Sequence, residues 1–308
     1  MENTAQSERS ALLYGLAAVL LWSTVATAFK LTLREFSPIQ MLLVASVVSV
    51  IVLLVICQIK GTINQLSSVF LANPKYFFLL GLVNPLGYYL ILFKAYDLLP
   101  ASQAQPLNYS WAITLTLMAA LFLGQKIRKQ DWLACLLGYL GVLIIATKGN
   151  LLTLSFDSPL GVGLALLSTL LWASYWILNT KNKTDPILVV LLGFLVSLPF
   201  SIFLAWYEGL GWNSISLQGW LAVSYVGLFE MGITFVLWLT ALKKTHNTAK
   251  VSNLIFLSPF ISLILLAQII GETIYTSTVV GLICILLGLA VQQIKFKTRN
   301  TNCTDSNR

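Results

Sequence analysis

Apolar residues along this chain run in long blocks divided by short polar punctuation, with neither the stripe of a surface helix nor the alternation of a strand. Ten blocks stand out: Ala11 to Phe29, Ile39 to Cys57, Tyr76 to Leu99, Ala101 to Leu123, Trp132 to Ala146, Leu160 to Asn179, Ile187 to Tyr207, Leu217 to Leu242, Thr248 to Ile270 and Thr276 to Ile294. A helix needs about 20 apolar residues to cross a bilayer, so the pattern predicts an all-α polytopic membrane protein with ten transmembrane helices and short loops. Ser37-Pro38, Asn73-Pro74, Leu99-Pro100, Ser158-Pro159 and Asp185-Pro186 each precede a block, where proline starts a helix without interrupting one. An even number of crossings puts both termini on one side.

Composition agrees. Of 308 residues 57% are hydrophobic and 10% charged, against about 25% charged in soluble domains, and the blocks leave no room for a separate soluble catalytic domain. The net charge of +8 does not mark a nucleic-acid partner, because the basic residues alternate with the blocks. With a cytoplasmic N-terminus, fifteen of the nineteen Lys and Arg lie inside; Lys30, Arg34, Lys94 and Lys148 lie outside. That is the positive-inside signature. Residues 1–10 and 295–308 read as polar, disordered cytoplasmic tails. Ala26-Thr27-Ala28 resembles a signal-peptide cleavage site, but the first block is echoed later in the chain, so its removal would break a repeat. Cys57, Cys135, Cys284 and Cys303 show no CxxC spacing and are read as small packing residues, with no metal site or cofactor expected.

The echo defines two five-helix units, 11–149 and 159–294. Leu20-Leu21-Trp22-Ser23 answers Leu170-Leu171-Trp172-Ala173; Asn108 answers Asn253; Gly124 and Gly141 answer Gly271 and Gly288. An odd number of crossings per unit makes the second enter the membrane from the opposite side. Such inverted repeats are a building plan of secondary transporters, in which two pseudo-equivalent halves open one central cavity to each side in turn.

Ten spans in a five-plus-five duplication, the paired Leu-Leu-Trp motifs, Gly124-Gln125-Lys126 and Gly271-Glu272 together resemble the EamA family of the drug/metabolite transporter superfamily, over about Leu12 to Val291. Asn108-Tyr109-Ser110-Trp111 followed by Leu123-Gly124-Gln125-Lys126 is similar to a stretch of the aromatic amino-acid exporters of that family, with Ala112 where those carry proline. The resemblance implies a bacterial inner-membrane carrier, often an exporter of amino acids or other small metabolites, with a cavity lined from both halves. Gln125 departs from the commoner Gly-Glu, so a carboxylate role at that motif falls to Glu272 alone.

Charge at mid-membrane depth marks functional candidates. Glu230 has about a dozen residues of the eighth block on either side, and Asn84 in Val83-Asn84-Pro85 stands 146 residues earlier. Tyr88 and Thr234 follow one turn on, and Trp238 shares the Glu230 stripe. Glu230 is read either as a site for a substrate ammonium or a carried proton, or as a protonated carboxyl locking two helices. Trp22, Trp172 and Trp176 stack on a substrate or pack; Asn108, Tyr109 and Asn253 bind a zwitterion or cross-link helices. Lys94 and Asp97 read as a pair, and His246 as a loop residue.

A secondary carrier of an amino acid or similarly small metabolite, exporting by alternating access with protons as a possible coupling ion, fits these features best. A passive channel or scaffold is the alternative. A membrane-embedded enzyme is disfavoured by the absence of HExxH, GxSxG or an intramembrane carboxylate pair, and no GxxxxGK[ST] loop is present for ATP.

Overall fold

A computed structural model of the chain describes residues 2–152, 154, 156–180, 182–209, 211–212, 215–246, 250–251 and 253–293, with side chains from Ser7 onward. Ten long helices follow one another: α1 (Glu2–Leu33), α2 (Pro38–Ile59), α3 (Pro74–Leu98), α4 (Ala101–Leu123), α5 (Lys129–Ala146), α6 (Pro159–Asn179), α7 (Pro186–Tyr207), α8 (Leu217–Lys244), α9 (Asn253–Ile270) and α10 (Thr276–Gln293). Each is long and apolar enough to span a membrane, and no strand occurs among the described residues.

The helices begin where their capping residues sit. Ser37 and Gln40 form a reciprocal capping box at α2, and the Asn73, Ser158 and Asp185 side chains accept first-turn amides at α3, α6 and α7, each followed by proline at the first helical position. These contacts satisfy donors that a helix start leaves open. The N-terminal segment departs from expectation. Residues 1–10 were expected as a disordered tail, yet α1 runs back to Glu2. Its polar start is held by the α8–α9 corner: Ser7 Oγ donates to the Lys244 carbonyl (2.8 Å), and the Glu8 carboxylate accepts from Thr245 Oγ1 and the His246 amide. The expected tail 295–308 lies outside the described residues.

Helix pairing is itself paired. α2 packs on α7 and α5 on α10; α1 packs on α8 and α9 as α6 packs on α3 and α4. Adding 5 to a helix's position in the chain order, or subtracting it, thus converts each of these contacts into itself or into another of them. Small residues permit the closest approaches: a Cβ on Gly281 would lie 2.6 Å from the Gly141 carbonyl oxygen across the α5–α10 contact. Ile51, Val55, Leu136, Leu167, Phe203 and Leu287 are exposed on the outer surface, a greasy girdle suited to hydrocarbon and not to water.

Besides α9, which is 3-10 over Asn253–Leu257 and π over Leu266–Ile270, three helices break their α-geometry in mid-course. α3 passes through a π-turn at Leu82–Gly87, where Asn84 is extended (φ −148, ψ 121) ahead of Pro85; α8 does so over Val226–Ile233, around Glu230; α4 turns at Ser110. Such interruptions free backbone groups and re-aim side chains, and all three lie at the level of the central hollow.

Candidate functional site

Helices α1, α3, α4, α6, α8, α9 and α10 enclose a central cavity of about 480 Å³, within the range of small-ligand sites. Its wall is aromatic. Trp238 meets Trp22 with ring centroids 5.4 Å apart, Trp22 meets Phe235 at 5.8 Å, Phe235 meets Trp172 at 6.2 Å, and Trp172 meets Tyr88 at 4.6 Å and Trp111 at 6.3 Å. Trp111 then stacks on Trp176 at 6.4 Å and 15°. The rings thus form one unbroken belt contributed by α1, α3, α4, α6 and α8.

Glu230 is the one charged side chain in that wall among the described residues. Its Oε1 accepts from Tyr89 Oη at 3.3 Å, the Trp22 indole lies beside the carboxylate, and Oε2 is buried without a partner at hydrogen-bond geometry among the described residues. Asn108 takes Tyr88 Oη on its oxygen (3.4 Å) and donates its amide to Ser168 Oγ (2.9 Å), so it both lines the cavity and ties α3, α4 and α6 together.

Of the residues expected at the site, Glu230, Tyr88, Trp22, Trp172, Trp176, Trp238, Asn108 and Tyr109 line the cavity. Three do not. Thr234 is fully buried outside the wall, because α8 is a π-helix over this stretch and residue i+5, not i+4, lies under residue i; Phe235 takes the place expected for Thr234. Asn84 is half-buried, and a Cβ on Gly193 would come within 3.3 Å of its carbonyl oxygen, so the α3 break packs against α7. Asn253 is exposed at the start of α9. Residues without a symmetry partner were missed: Trp111, Gln105, Phe235 and Gln292 all line the cavity. The cluster Gln103, Gln105 and Asn108 in one half of a spanning block was a usable signal, since amides are rare at that depth unless they face a polar interior.

A second hollow shares Leu115, Trp176 and Gln292 with the cavity and runs to Gln125, Lys126 and Arg128. At the other end the helices are laced shut. Lys30 Nζ donates to the carbonyls of Tyr96 and Leu99 (2.7 Å each) at the end of α3, and the Glu272 carboxylate accepts the amides of Ala101 (2.8 Å) and Ser102 (2.9 Å) at the start of α4. A cation thus meets the negative end of one helix and an anion the positive end of the next, clamping both sides of the Leu99-Pro100 corner. Asp157, in the loop after α5, pairs with Lys148 (2.7 Å) and accepts from Gln103 Nε2 (3.1 Å) at the same end. On the face carrying Lys126 and Arg128, the repeat positions of Glu272 and Lys30 are the uncharged Gln125 and Thr180.

Ten membrane-length helices, seven of them around an aromatic cavity that continues toward one end and is laced at the other, make this a polytopic membrane transport protein in architecture. The EamA-like transporter family matches residues 9–147 and again 159–292, and the chain belongs to that family. It is similar to the aromatic amino acid exporter YddG of Ancylobacter novellus, with 25% identity over 272 residues covering 84% of this chain and 88% of the relative. It is also similar to an uncharacterized transporter of Acidianus ambivalens (24%, 68% of this chain and 81% of that one) and to the uncharacterized transporter YvbV of Bacillus subtilis (24%, 65% and 66%). A solved crystal structure with 23% identity matches the fold, with a TM-score of 0.67 over 92% of this chain and 97% of its own.

Proposed function

We propose that the protein is a secondary transporter that moves an amino acid or similarly small metabolite out of the cell by alternating access between two inverted five-helix halves. The observation that carries this reading is the one-ended cavity: its wall is drawn from both halves, it continues toward Lys126 and Arg128, and it is stitched over by Lys30 and Glu272 at the other end. The pairwise symmetry of the principal helix contacts supports the inverted arrangement, because exchanging the halves turns the α2–α7 and α5–α10 contacts into themselves and those of α1 with α8 and α9 into those of α6 with α3 and α4. The excess of Lys and Arg on the open end supports a cytoplasmic side for that end, which fits loading of the solute from the cytoplasm. Glu230, the charged group at the centre, holds a solute amine or a coupled proton.

The test compares metabolites in cells with and without the gene, then measures counterflow of the differing compounds with purified protein in liposomes. A transporter gives saturable exchange between equal pools. Linear, non-saturating flux identifies a channel, and no flux a scaffold.

A further inference from the structure

The charge and the aromatic rings of the cavity wall narrow the solute further than its size does. Among the described residues that line it, the charged group is an acid, and no Lys, Arg or His accompanies it. Among the described residues two deeply buried wall acceptors, Glu230 Oε2 and Gln105 Oε1, lack a hydrogen-bond partner, and the further donors of the wall, the Gln105 and Gln293 amides and the indole N–H groups, are all neutral. The side-chain amide donors of Asn108 and Gln292 are already committed, to Ser168 Oγ at 2.9 Å and Thr116 Oγ1 at 3.1 Å. At the α4 turn beside them, the amides of Ser110, Ile113 and Thr114 donate to carbonyls of the chain itself. With Glu230 in the wall stand Trp22, Tyr88, Trp172, Phe235 and Trp238, and rings in such a cluster attract a cation through their faces.

An amino acid brings a carboxylate along with its ammonium. In this wall the carboxylate would lose its water with no cation to meet it, and an unpaired buried anion is strongly penalised. Resting on the reading of the cavity as the transport site, we propose that the preferred solute class is organic monocations with a compact apolar or aromatic body, arylalkylamines and their quaternary analogues, in preference to zwitterionic amino acids. The nitrogen sits beside the Glu230 carboxylate within the ring belt. The aryl group extends toward Trp111 and Trp176, whose stacked faces line the way to the second hollow.

Three probes share a phenyl ring and differ chiefly in the charge they carry: phenethylamine, phenylalanine and phenylacetate, with phenyltrimethylammonium as a quaternary form. Each is tested in liposomes as the competitor of its own labelled counterflow, using the full-length protein. The expected order is phenethylamine and phenyltrimethylammonium at least tenfold tighter than phenylalanine, with phenylacetate inert. Glu230→Gln is expected to remove most of the advantage of the two cations while changing phenylalanine by less than threefold. The wild-type ranking stands by itself should that variant fail to insert. Phenylalanine equal to or tighter than phenethylamine overturns the cation preference and leaves the transport site intact. No saturable exchange by any of the four, or by the metabolites that respond to the gene, overturns both.

Discussion

Asn108 and Thr234 were both expected at the site, and their surroundings separate them. The Thr234 hydroxyl is buried and unpartnered away from the wall, whereas Asn108 carries two hydrogen bonds at its edge. Replacing an unsatisfied buried hydroxyl by a methyl group is neutral or stabilising, whereas removing one partner of a buried hydrogen bond costs about 1–3 kcal/mol. Thr234→Val is therefore expected to keep the solute affinity and raise or preserve the melting temperature in detergent, while Asn108→Ala lowers both. Equal effects of the two substitutions would contradict the assignment. Glu230, Trp22 and Trp172 were legible in the sequence because charge and large aromatic rings are conspicuous in an apolar run. Thr234 was misplaced for a specific reason: spacing arguments assume 3.6 residues per turn, and a π-turn adds a residue that no hydrophobic pattern announces.

The Leu99-Pro100 corner is held by charges on two other helices, Lys30 from α1 and Glu272 at the end of α9. A hydrogen bond to a charged group contributes roughly 1.5–3 kcal/mol, and about 1.4 kcal/mol is a tenfold shift in a two-state population. Glu272→Gln keeps the shape and removes the charge. It is expected to raise the population opened at that end at least tenfold, read as faster modification of a cysteine placed at Tyr96 by an impermeant reagent added on that side. An unchanged rate would mean that the lacing does not hold the gate. The loop after α5 offers a titration of the same end. Bonding to Lys148 holds the Asp157 carboxyl below its ordinary value, and the same pairing raises the Lys148 ammonium. An acid whose folded value is depressed adds stability that is present above its unfolded value, near 3.9, and is lost as pH falls toward the folded one; a raised lysine adds stability present below its own unfolded value, near 10.4, and lost above it. Proteolysis of residues 147–158 is expected to stay flat from about pH 5 to pH 9 and to rise below about pH 4. Asp157→Asn should abolish that acid-side rise. The helix ends were legible from Ser37, Asn73, Ser158 and Asp185, whose caps have local signatures. The lacing was not, because Lys30 and Glu272 are 242 residues apart and meet only when α1, α3, α4 and α9 converge.

For the molecule as a whole, the one-ended cavity predicts sidedness. With Cys57, Cys135, Cys284 and Cys303 replaced, Leu289→Cys in the wall of α10 is expected to react with an impermeant maleimide from the Lys126 face and not from the Glu272 face. Equal labelling from both faces would identify a through-pore. The ten-helix plan was visible in hydropathy alone, since backbone groups in lipid must be satisfied within a helix. Which end stands open was not, because a repeat describes two alternatives equally well.

Five of the nine tryptophans, Trp22, Trp111, Trp172, Trp176 and Trp238, border the cavity. More than half of the indoles therefore stand where an occupant would alter their polarity and quenching, which equips the unlabelled protein with its own optical gauge: emission under ultraviolet excitation should shift on titration with a genuine solute and stay constant with a bystander.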